Sequence, residues 1–147
     1  NQAYAIIRSD KLRAALGHMA GQNGNPHNIL AFEAMIAAYT KCGDWMDQLC
    51  TYLGESADQA CKFINGEIPG WSIREPDATF FLWPRSERPI GEIMPWLLDE
   101  ALVEMRDGER YNPMPGHHNL RMCFGTPKSV LMEALERIAD VLKRHGC

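Results

Sequence analysis

The chain has 147 residues, of which 46% are hydrophobic and 23% are charged, a balance typical of a folded globular protein and not of a disordered one. Its net charge of -4 offers no basic footprint for nucleic acid. No run approaches the roughly 18 to 20 apolar residues of a membrane helix, and the first residues lack the pattern of a signal peptide. We therefore expect a soluble, cytoplasmic protein that binds neither nucleic acid nor membrane.

The cysteines also indicate a cytoplasmic protein. There are five of them, and none forms a CxxC pair, so neither a disulfide framework nor a zinc site has its usual spacing. We predict reduced thiols, with Cys50 and Cys61 in the core, and no metal site.

The beginning of the chain predicts one strand and two helices. Residues 4–7 are a short apolar run of strand type without a hairpin partner, which indicates a sheet whose other strands lie outside this sequence. A helix is predicted over residues 11–18. Asn25 and Pro26 are predicted to cap a second helix that ends near Cys42.

In the middle of the chain the apolar pattern changes from helical to strand periodicity. Apolar residues recur every three or four positions from Trp45 to Ile64, which predicts one helix of about twenty residues with a single apolar face, ended by Pro69. Residues 71–73 and 78–83 then have the alternation and flanking prolines of two antiparallel strands.

The last third of the chain predicts two more helices and two more strands. A helix over residues 93–98 must hold Pro95 in its first turn, because a proline further in would clash with a preceding carbonyl. Residues 102–105 and 120–124 are predicted as short strands. An amphipathic helix follows Pro127 and ends in basic residues that suit the helix dipole.

This order of elements predicts two parts. Residues 44–147 have the mixed composition of an α+β domain that opens with a long helix able to bridge to another domain. Residues 1–43 have the pattern of the tail of a larger α/β domain.

Three segments carry a family resemblance, in this order and at similar spacing: AAYTKCGDWMDQLCTYL, IPGWSIREPDATFFLW and RDGERYNPMPGHHNLRMCFGTPKSVLMEALERI. They resemble the C-terminal part of fold-type I pyridoxal-phosphate (PLP) enzymes of the class I/II aminotransferase group, and most strongly the cystathionine β-lyase (C-S lyase) branch. The resemblance implies the small C-terminal α+β domain of the aminotransferase fold for residues 44–147 and a remnant of the large cofactor-binding domain for residues 1–43. It also implies a PLP cofactor, an amino-acid substrate and a homodimer.

The same resemblance bears on the cofactor-binding lysine. In the family this lysine lies in a Ser-Lys-x-Phe-Asn segment about ten residues before the strand that residues 4–7 resemble, so we expect it upstream of Asn1. The chain's own lysines are predicted to be solvated surface residues: Lys11, Lys41, Lys62, Lys128 and Lys143. This chain alone is therefore expected to contain no catalytic residue and to be inactive.

Arg121 is the strongest candidate for a site residue. It alternates with apolar neighbours on the predicted strand, so it shares a face with Cys123, and composition alone favours an exposed strand arginine. The resemblance instead implies that Arg121 holds the substrate α-carboxylate, within an Arg-x-(Asn or Ser)-x-(Ala or Gly)-x-Pro pattern. A planar guanidinium can grip both carboxylate oxygens. Gly125 and Pro127 match the pattern, and Cys123 departs from it.

Two weaker candidates follow from the resemblance. Asn25 lies in a loop that resembles the segment reaching toward the neighbouring subunit's cofactor phosphate, although a turn and a helix cap are sufficient to explain this loop and are the favoured interpretation. Tyr111 lies in a segment that resembles the family's Pro-Gly-x-x-(Phe or Tyr) turn. It either lines the substrate pocket or is an ordinary core aromatic.

Two classes of function stay open at this point. The first is the C-terminal part of a PLP-dependent enzyme that acts on an α-amino acid, by β-elimination at a C-S bond or by transamination, and the sequence does not decide between these reactions. The second is a stand-alone, non-catalytic module with the same lid fold that binds an amino acid or a protein partner.

Overall fold

The computed structural model describes residues 3–22, 28–111 and 118–146. The chain divides into two compact units, Asn1–Gln48 and Leu49–Cys147, which are described separately. The domain boundary predicted between residues 43 and 44 stays a prediction.

The first unit contains the helices α1 (Asp10–Gln22) and α2 (Ile29–Lys41) and the first residues of the helix α3 (Gly43–Glu67). The predicted end of α2 near Cys42 is confirmed. Residues 4–7 form no strand within this chain, and their predicted pairing with strands outside this sequence stays a prediction. A strand needs a hydrogen-bonded neighbour, and no described segment pairs with these residues.

The N-terminus of α2 is capped by Asn28. Its side-chain oxygen accepts hydrogen bonds from the backbone N–H groups of Leu30 and Ala31, at 3.0 and 3.3 Å, which satisfies two of the donors that a helix start leaves without partners. The predicted cap, Asn25 with Pro26, lies outside the described residues.

The second unit is built on α3, which is 25 residues long and continues the apolar stripe predicted from the sequence. No residue of this helix before Ser56 is buried, whereas Ala57, Ala60, Cys61 and Ile64 are. The prediction of a core position is therefore confirmed for Cys61 and wrong for Cys50, which is exposed, because the N-terminal half of the helix extends beyond the core.

The strands of the second unit form two small antiparallel sheets. β1 (Trp71–Ser72) pairs with β3 (Arg85–Ser86). β2 (Phe81–Leu82), β4 (Arg106–Asp107) and β5 (Leu120–Cys123) form a three-stranded sheet with β5 in the centre. The predicted partnership between residues 71–73 and 78–83 was wrong, since each of the two strands pairs with a segment later in the chain.

The segment after β3 differs from its prediction around Pro95. The helix α4 (Ile90–Pro95) ends at this proline instead of beginning near it, and a π-helical turn (Trp96–Glu100) follows. Proline lacks an N–H group and crowds the carbonyl four residues before it, so the α-helical pattern stops there. The wider turn closes with the N–H of Ala101 donating to the carbonyl of Trp96 at 3.0 Å.

The predicted strand over residues 102–105 is absent from the structure. Leu102 has a φ of 55°, a left-handed conformation that ends the preceding turn and interrupts an extended strand. The strand begins later, at Arg106.

The chain returns through β5 to the helix α5 (Lys128–Arg144), both as predicted. The core of the second unit combines the stripe of α3, the inner face of the three-stranded sheet and the apolar face of α5. Its fully buried larger side chains include Ile64, Leu82, Ile93, Leu97, Leu120, Phe124, Leu131, Leu135, Ile138 and Leu142.

Candidate functional site

β5 places Arg121 on the outer face of the three-stranded sheet. Leu120 and Met122 are buried, whereas Arg121 is half-buried and Cys123 is exposed, because successive side chains of a strand point to opposite faces. The predicted alternation along this strand is confirmed.

The guanidinium of Arg121 contacts two aromatic rings. Its Cζ lies 4.5 Å from the ring centroid of Phe81 and 4.3 Å from that of Tyr111. Both distances lie well inside the range of a cation-π contact. Phe81 reaches this position because β2 pairs with β5 so that Phe81 is opposite Cys123, on the same face as Arg121.

Within the described ranges, the guanidinium of Arg121 forms neither a hydrogen bond nor an ion pair with a protein group. Arg106 lies directly opposite it on β4 but has its own acidic neighbour, Glu104, at 3.0 Å. Among the described residues, Arg121 is therefore a half-buried cation without an anionic partner.

Tyr111 is fixed by a short turn behind β4. Asp107 accepts a hydrogen bond from the N–H of Glu109 at 2.9 Å and so caps a 3-10 turn (Gly108–Arg110). Tyr111 closes that turn, with its N–H donating to the carbonyl of Gly108 at 2.9 Å. Its ring is 50% exposed, so the interpretation of Tyr111 as a core aromatic was wrong.

Gly108 brings this turn against the strand that carries Arg121. Its N–H donates to the carbonyl of Asn119 at 2.8 Å, and a Cβ at this position would lie 2.4 Å from the same oxygen. Only glycine permits this approach without a shift of the backbone. The ring of Tyr111 also forms a T-shaped contact with the ring of Trp83, with ring centroids 5.7 Å apart.

An apolar groove of about 550 Å³ lies beside the end of β5. Its lining includes Leu49, Tyr52, Phe80, Cys123 and Pro127. Cys123 thus lines the groove and also lies on the face of the sheet that carries Arg121.

Beside the groove, side chains of α3 contact the first residue of α5. The hydroxyl of Tyr52 accepts a hydrogen bond from the backbone N–H of Lys128 at 2.7 Å, and the ammonium of Lys128 donates to Glu55 at 3.2 Å. Pro127 provides no side-chain cap for α5. The hydroxyl of Tyr52, on α3, accepts the hydrogen bond that such a cap would otherwise accept.

Three of the described lysines are paired with carboxylates. PLP needs a lysine whose amine is available for a Schiff base, an acid for the pyridine nitrogen and a cradle for the phosphate. Lys62 donates to Asp58 at 2.8 Å, and this hydrogen bond raises the pKa of Lys62, which keeps the amine protonated. Lys128 and Lys143 lie beside Glu55 and Glu67. Asn25, the predicted phosphate ligand, lies outside the described residues.

Cys61 is a buried thiol of the second unit. Burial raises the pKa of the Cys61 thiol, and Glu75 and Asp58 add to this effect, so this buried thiol is kept in its unreactive protonated form. In the part of the chain that is described, there is no cluster of histidine, cysteine and acidic residues able to hold a metal ion. The described helices include none with the length and apolar character needed to cross a membrane.

Comparisons with known proteins show which enzymes the chain is similar to. The chain is 32% identical over 146 residues to cystathionine β-lyase PatB of Bacillus subtilis, across 96% of this chain and 38% of that protein. It is 26% identical over 152 residues to aspartate aminotransferase of the same organism, across 97% of this chain and 37% of that protein. No protein-family model matches the chain.

Solved structures share the fold. The crystal structure of cystalysin from Treponema denticola, which contains PLP, superposes with a TM-score of 0.85 at 20% identity, across 95% of this chain and 36% of that one. The fold is that of the small α+β domain of PLP-dependent aminotransferases. Over nearly its whole length the chain is similar to the C-terminal part of PLP-dependent aminotransferases and cystathionine β-lyases. It spans about 38% of the length of PatB.

Sequence reasoning missed two residues of the site. Phe81 was recognised only as part of a strand, although its alternation with the buried Leu82 would have placed it on an outer face. Tyr52 was included in the long helix without a role. No local signal could have shown that its hydroxyl meets the N-terminus of α5, because 76 positions separate Tyr52 from Lys128.

Proposed function

We propose that this chain supplies the part of a PLP-dependent enzyme that binds the substrate carboxylate, and that the enzyme acts on an α-amino acid by β-elimination at a C-S bond or by transamination. Arg121 binds the α-carboxylate in this proposal, and Tyr111 lines the substrate pocket. The observation that carries the proposal is a half-buried guanidinium that contacts two aromatic rings and has no acidic partner among the described residues.

The physical chemistry of this arrangement favours a carboxylate ligand. A guanidinium presents its N–H donors as a planar fork that matches both oxygens of a carboxylate. Contacts with ring faces leave those in-plane donors available, whereas a protein carboxylate would occupy them. Partial burial also lowers the local dielectric and strengthens the ion pair that a substrate forms.

PLP supplies the electron sink for amino-acid chemistry in this family. The residues of this chain orient the substrate in the proposal, and the Schiff-base lysine and phosphate cradle belong to another part of the enzyme. The chain alone is accordingly inactive. A homodimer, a phosphate contact by Asn25 and a cytoplasmic location are further proposals that rest on the family relationship.

The test is Arg121→Ala in the enzyme that carries this sequence. Removing one partner of a desolvated, charge-assisted pair costs about 2 to 5 kcal/mol, so kcat/KM for the amino acid should fall by roughly 30-fold to several thousand-fold. Bound PLP, measured by its absorbance, should be unchanged. Arg121→Lys should recover only part of the loss, because an ammonium cannot form the two-pronged contact.

Arg106→Ala is the matched control. Arg106 lies directly opposite Arg121 in the same sheet, but it is paired with Glu104, and exposed ion pairs contribute about 0 to 1 kcal/mol. Its removal should change kcat/KM several-fold at most. If Arg121→Ala kept kcat/KM within about twofold, or removed the cofactor, Arg121 would be an ordinary surface arginine.

The choice between lyase and aminotransferase needs a separate assay. The enzyme is incubated with cystathionine in one reaction and with an amino donor plus a 2-oxo acid in another. Release of a thiol in the first reaction identifies a C-S lyase, and transfer of the amino group in the second identifies an aminotransferase.

A further inference from the structure

The two ring contacts of Arg121 can order its side chain without occupying its N–H donors. An arginine side chain has several rotatable bonds, and ordering it on ligand binding costs free energy that subtracts from affinity. A salt bridge to a protein carboxylate would order it but would also occupy the donors that the ligand needs. The rings of Phe81 and Tyr111 contact the guanidinium at 4.5 and 4.3 Å and order it without using an N–H group.

We propose that Phe81 and Tyr111 are positioning residues, which hold the guanidinium of Arg121 in place before the substrate arrives. The inference rests on the proposed role of Arg121 as the carboxylate anchor. It assigns to Tyr111 a contact through the ring face, and the tyrosine hydroxyl has no part in it.

Each ring is itself held by an independent part of the fold. Phe81 is fixed by the pairing of β2 with β5 and by the ring of Phe80, whose centroid lies 4.6 Å away. Tyr111 is fixed by the 3-10 turn, which the close approach of Gly108 to Asn119 holds against β5. The ring of Phe81 therefore reaches the guanidinium from β2, and the ring of Tyr111 reaches it from the turn after β4, and these two strands flank the central strand on opposite sides.

The test replaces each ring and then restores it. Phe81→Leu and Tyr111→Leu remove the ring, whereas Phe81→Tyr and Tyr111→Phe keep it. A cation-π contact contributes about 0.5 to 2 kcal/mol, so each leucine variant should lower kcat/KM for the amino acid by roughly 2-fold to 30-fold. The loss should appear mainly in KM, since the carboxylate is bound in both the ground state and the transition state. The ring-keeping variants should recover most of this loss.

Two controls separate positioning from a loss of folding. For an amine substrate that lacks a carboxylate, the leucine variants should lose much less kcat/KM than they lose for the amino acid. In the Arg121→Ala background, the leucine substitutions should cause no further loss, because they act through Arg121. Thermal unfolding of each variant verifies that it is folded.

These experiments distinguish a failure of the proposed function from a failure of the positioning role. If Arg121→Ala has no effect, the proposed function fails. If Arg121→Ala is damaging but Tyr111→Leu and Phe81→Leu match Tyr111→Phe and Phe81→Tyr, the anchor stands and the positioning role is wrong. Equal losses with and without Arg121, or with and without a substrate carboxylate, would also overturn it.

Discussion

Arg121 and Arg106 show how two identical residues in neighbouring strands acquire different roles. They are direct cross-strand partners, a placement in which like charges destabilise a sheet. Arg106 is compensated by Glu104, whereas Arg121 has two ring contacts and no ion pair among the described residues. Within the described part of the chain, Arg121 is thus a cation without an ion pair beside another cation, an arrangement that costs stability.

The face of the strand that carries Arg121 was predictable, but its neighbours were not. Alternation along residues 120–124 is local information, and it correctly predicted which side chains point outward. The contact with Phe81 depends on the pairing of β2 with β5, which lies about 40 positions further along the sequence, and such non-local pairing leaves no local signal. The sequence instead suggested a local hairpin between residues 71–73 and 78–83.

Gly108 provides a test of the turn that holds Tyr111. In Gly108→Ala the new Cβ would meet the carbonyl oxygen of Asn119 at 2.4 Å, so the turn must move and the hydrogen bond between the two residues weakens. We expect a loss of about 1 to 3 kcal/mol in the free energy of unfolding, the usual cost of a forced backbone shift. Urea unfolding measures it.

Gly54→Ala is the control for this substitution. Gly54 lies inside α3, and no atom lies within 4 Å of the place that the alanine methyl group would take. Alanine in a helix interior is favoured over glycine by about 0.5 to 1 kcal/mol, so the control should be stabilised. Equal stability of the two variants would show that the approach of Gly108 to Asn119 is not needed.

At the scale of elements, the helices were predicted more accurately than the strands. The long stripe of α3 and the amphipathic pattern of α5 are local, repeated signals. The ends of helices were less certain where proline intervened: Pro95 ends α4, although a proline is also compatible with a first turn. The left-handed Leu102 carried no signal, since leucine is rarely found in that conformation.

The N-terminus of α5 gives a prediction at this scale. Tyr52→Phe removes the hydroxyl that accepts a hydrogen bond from the N–H of Lys128 but keeps the ring. A net hydrogen bond contributes about 0.5 to 1.5 kcal/mol, and we expect a loss of that size in the free energy of unfolding. Thermal or urea unfolding measures it.

Tyr111→Phe is the matched control, because the hydroxyl of Tyr111 has no hydrogen bond within the described part of the chain. Its stability should equal that of the parent. If Tyr52→Phe were as stable as Tyr111→Phe, water would hydrogen-bond to the N–H of Lys128 as well as the Tyr52 hydroxyl does.

At the scale of the whole molecule, the proposed anchor belongs entirely to the second unit. Phe81, Gly108, Tyr111 and Arg121 all lie within Leu49–Cys147, and so do the strands and the turn that hold them. The first unit contributes no buried residue from α2. The core that packs α3, the three-stranded sheet and α5 together therefore also fixes the positions of these four residues.

The last prediction concerns PLP and this chain alone. A lysine that forms a Schiff base efficiently has an amine that loses its proton near neutral pH, through burial or a neighbouring cation. Here the pKa of Lys62 is raised by its hydrogen bond to Asp58. Lys128 and Lys143 lie beside carboxylates, and Lys11 and Lys41 are exposed. We therefore expect no specific covalent attachment of PLP to the 147-residue chain.

The measurement is incubation of the chain with PLP, reduction with borohydride and peptide mapping by mass spectrometry. Modification should be substoichiometric and spread over several lysines, as expected for exposed amines that react without a binding site. Denatured chain provides the reference, and its lysines should react to a similar extent. Stoichiometric modification of a single lysine, lost on denaturation, would show that this chain forms a PLP site of its own and would contradict its assignment to the substrate side of the enzyme.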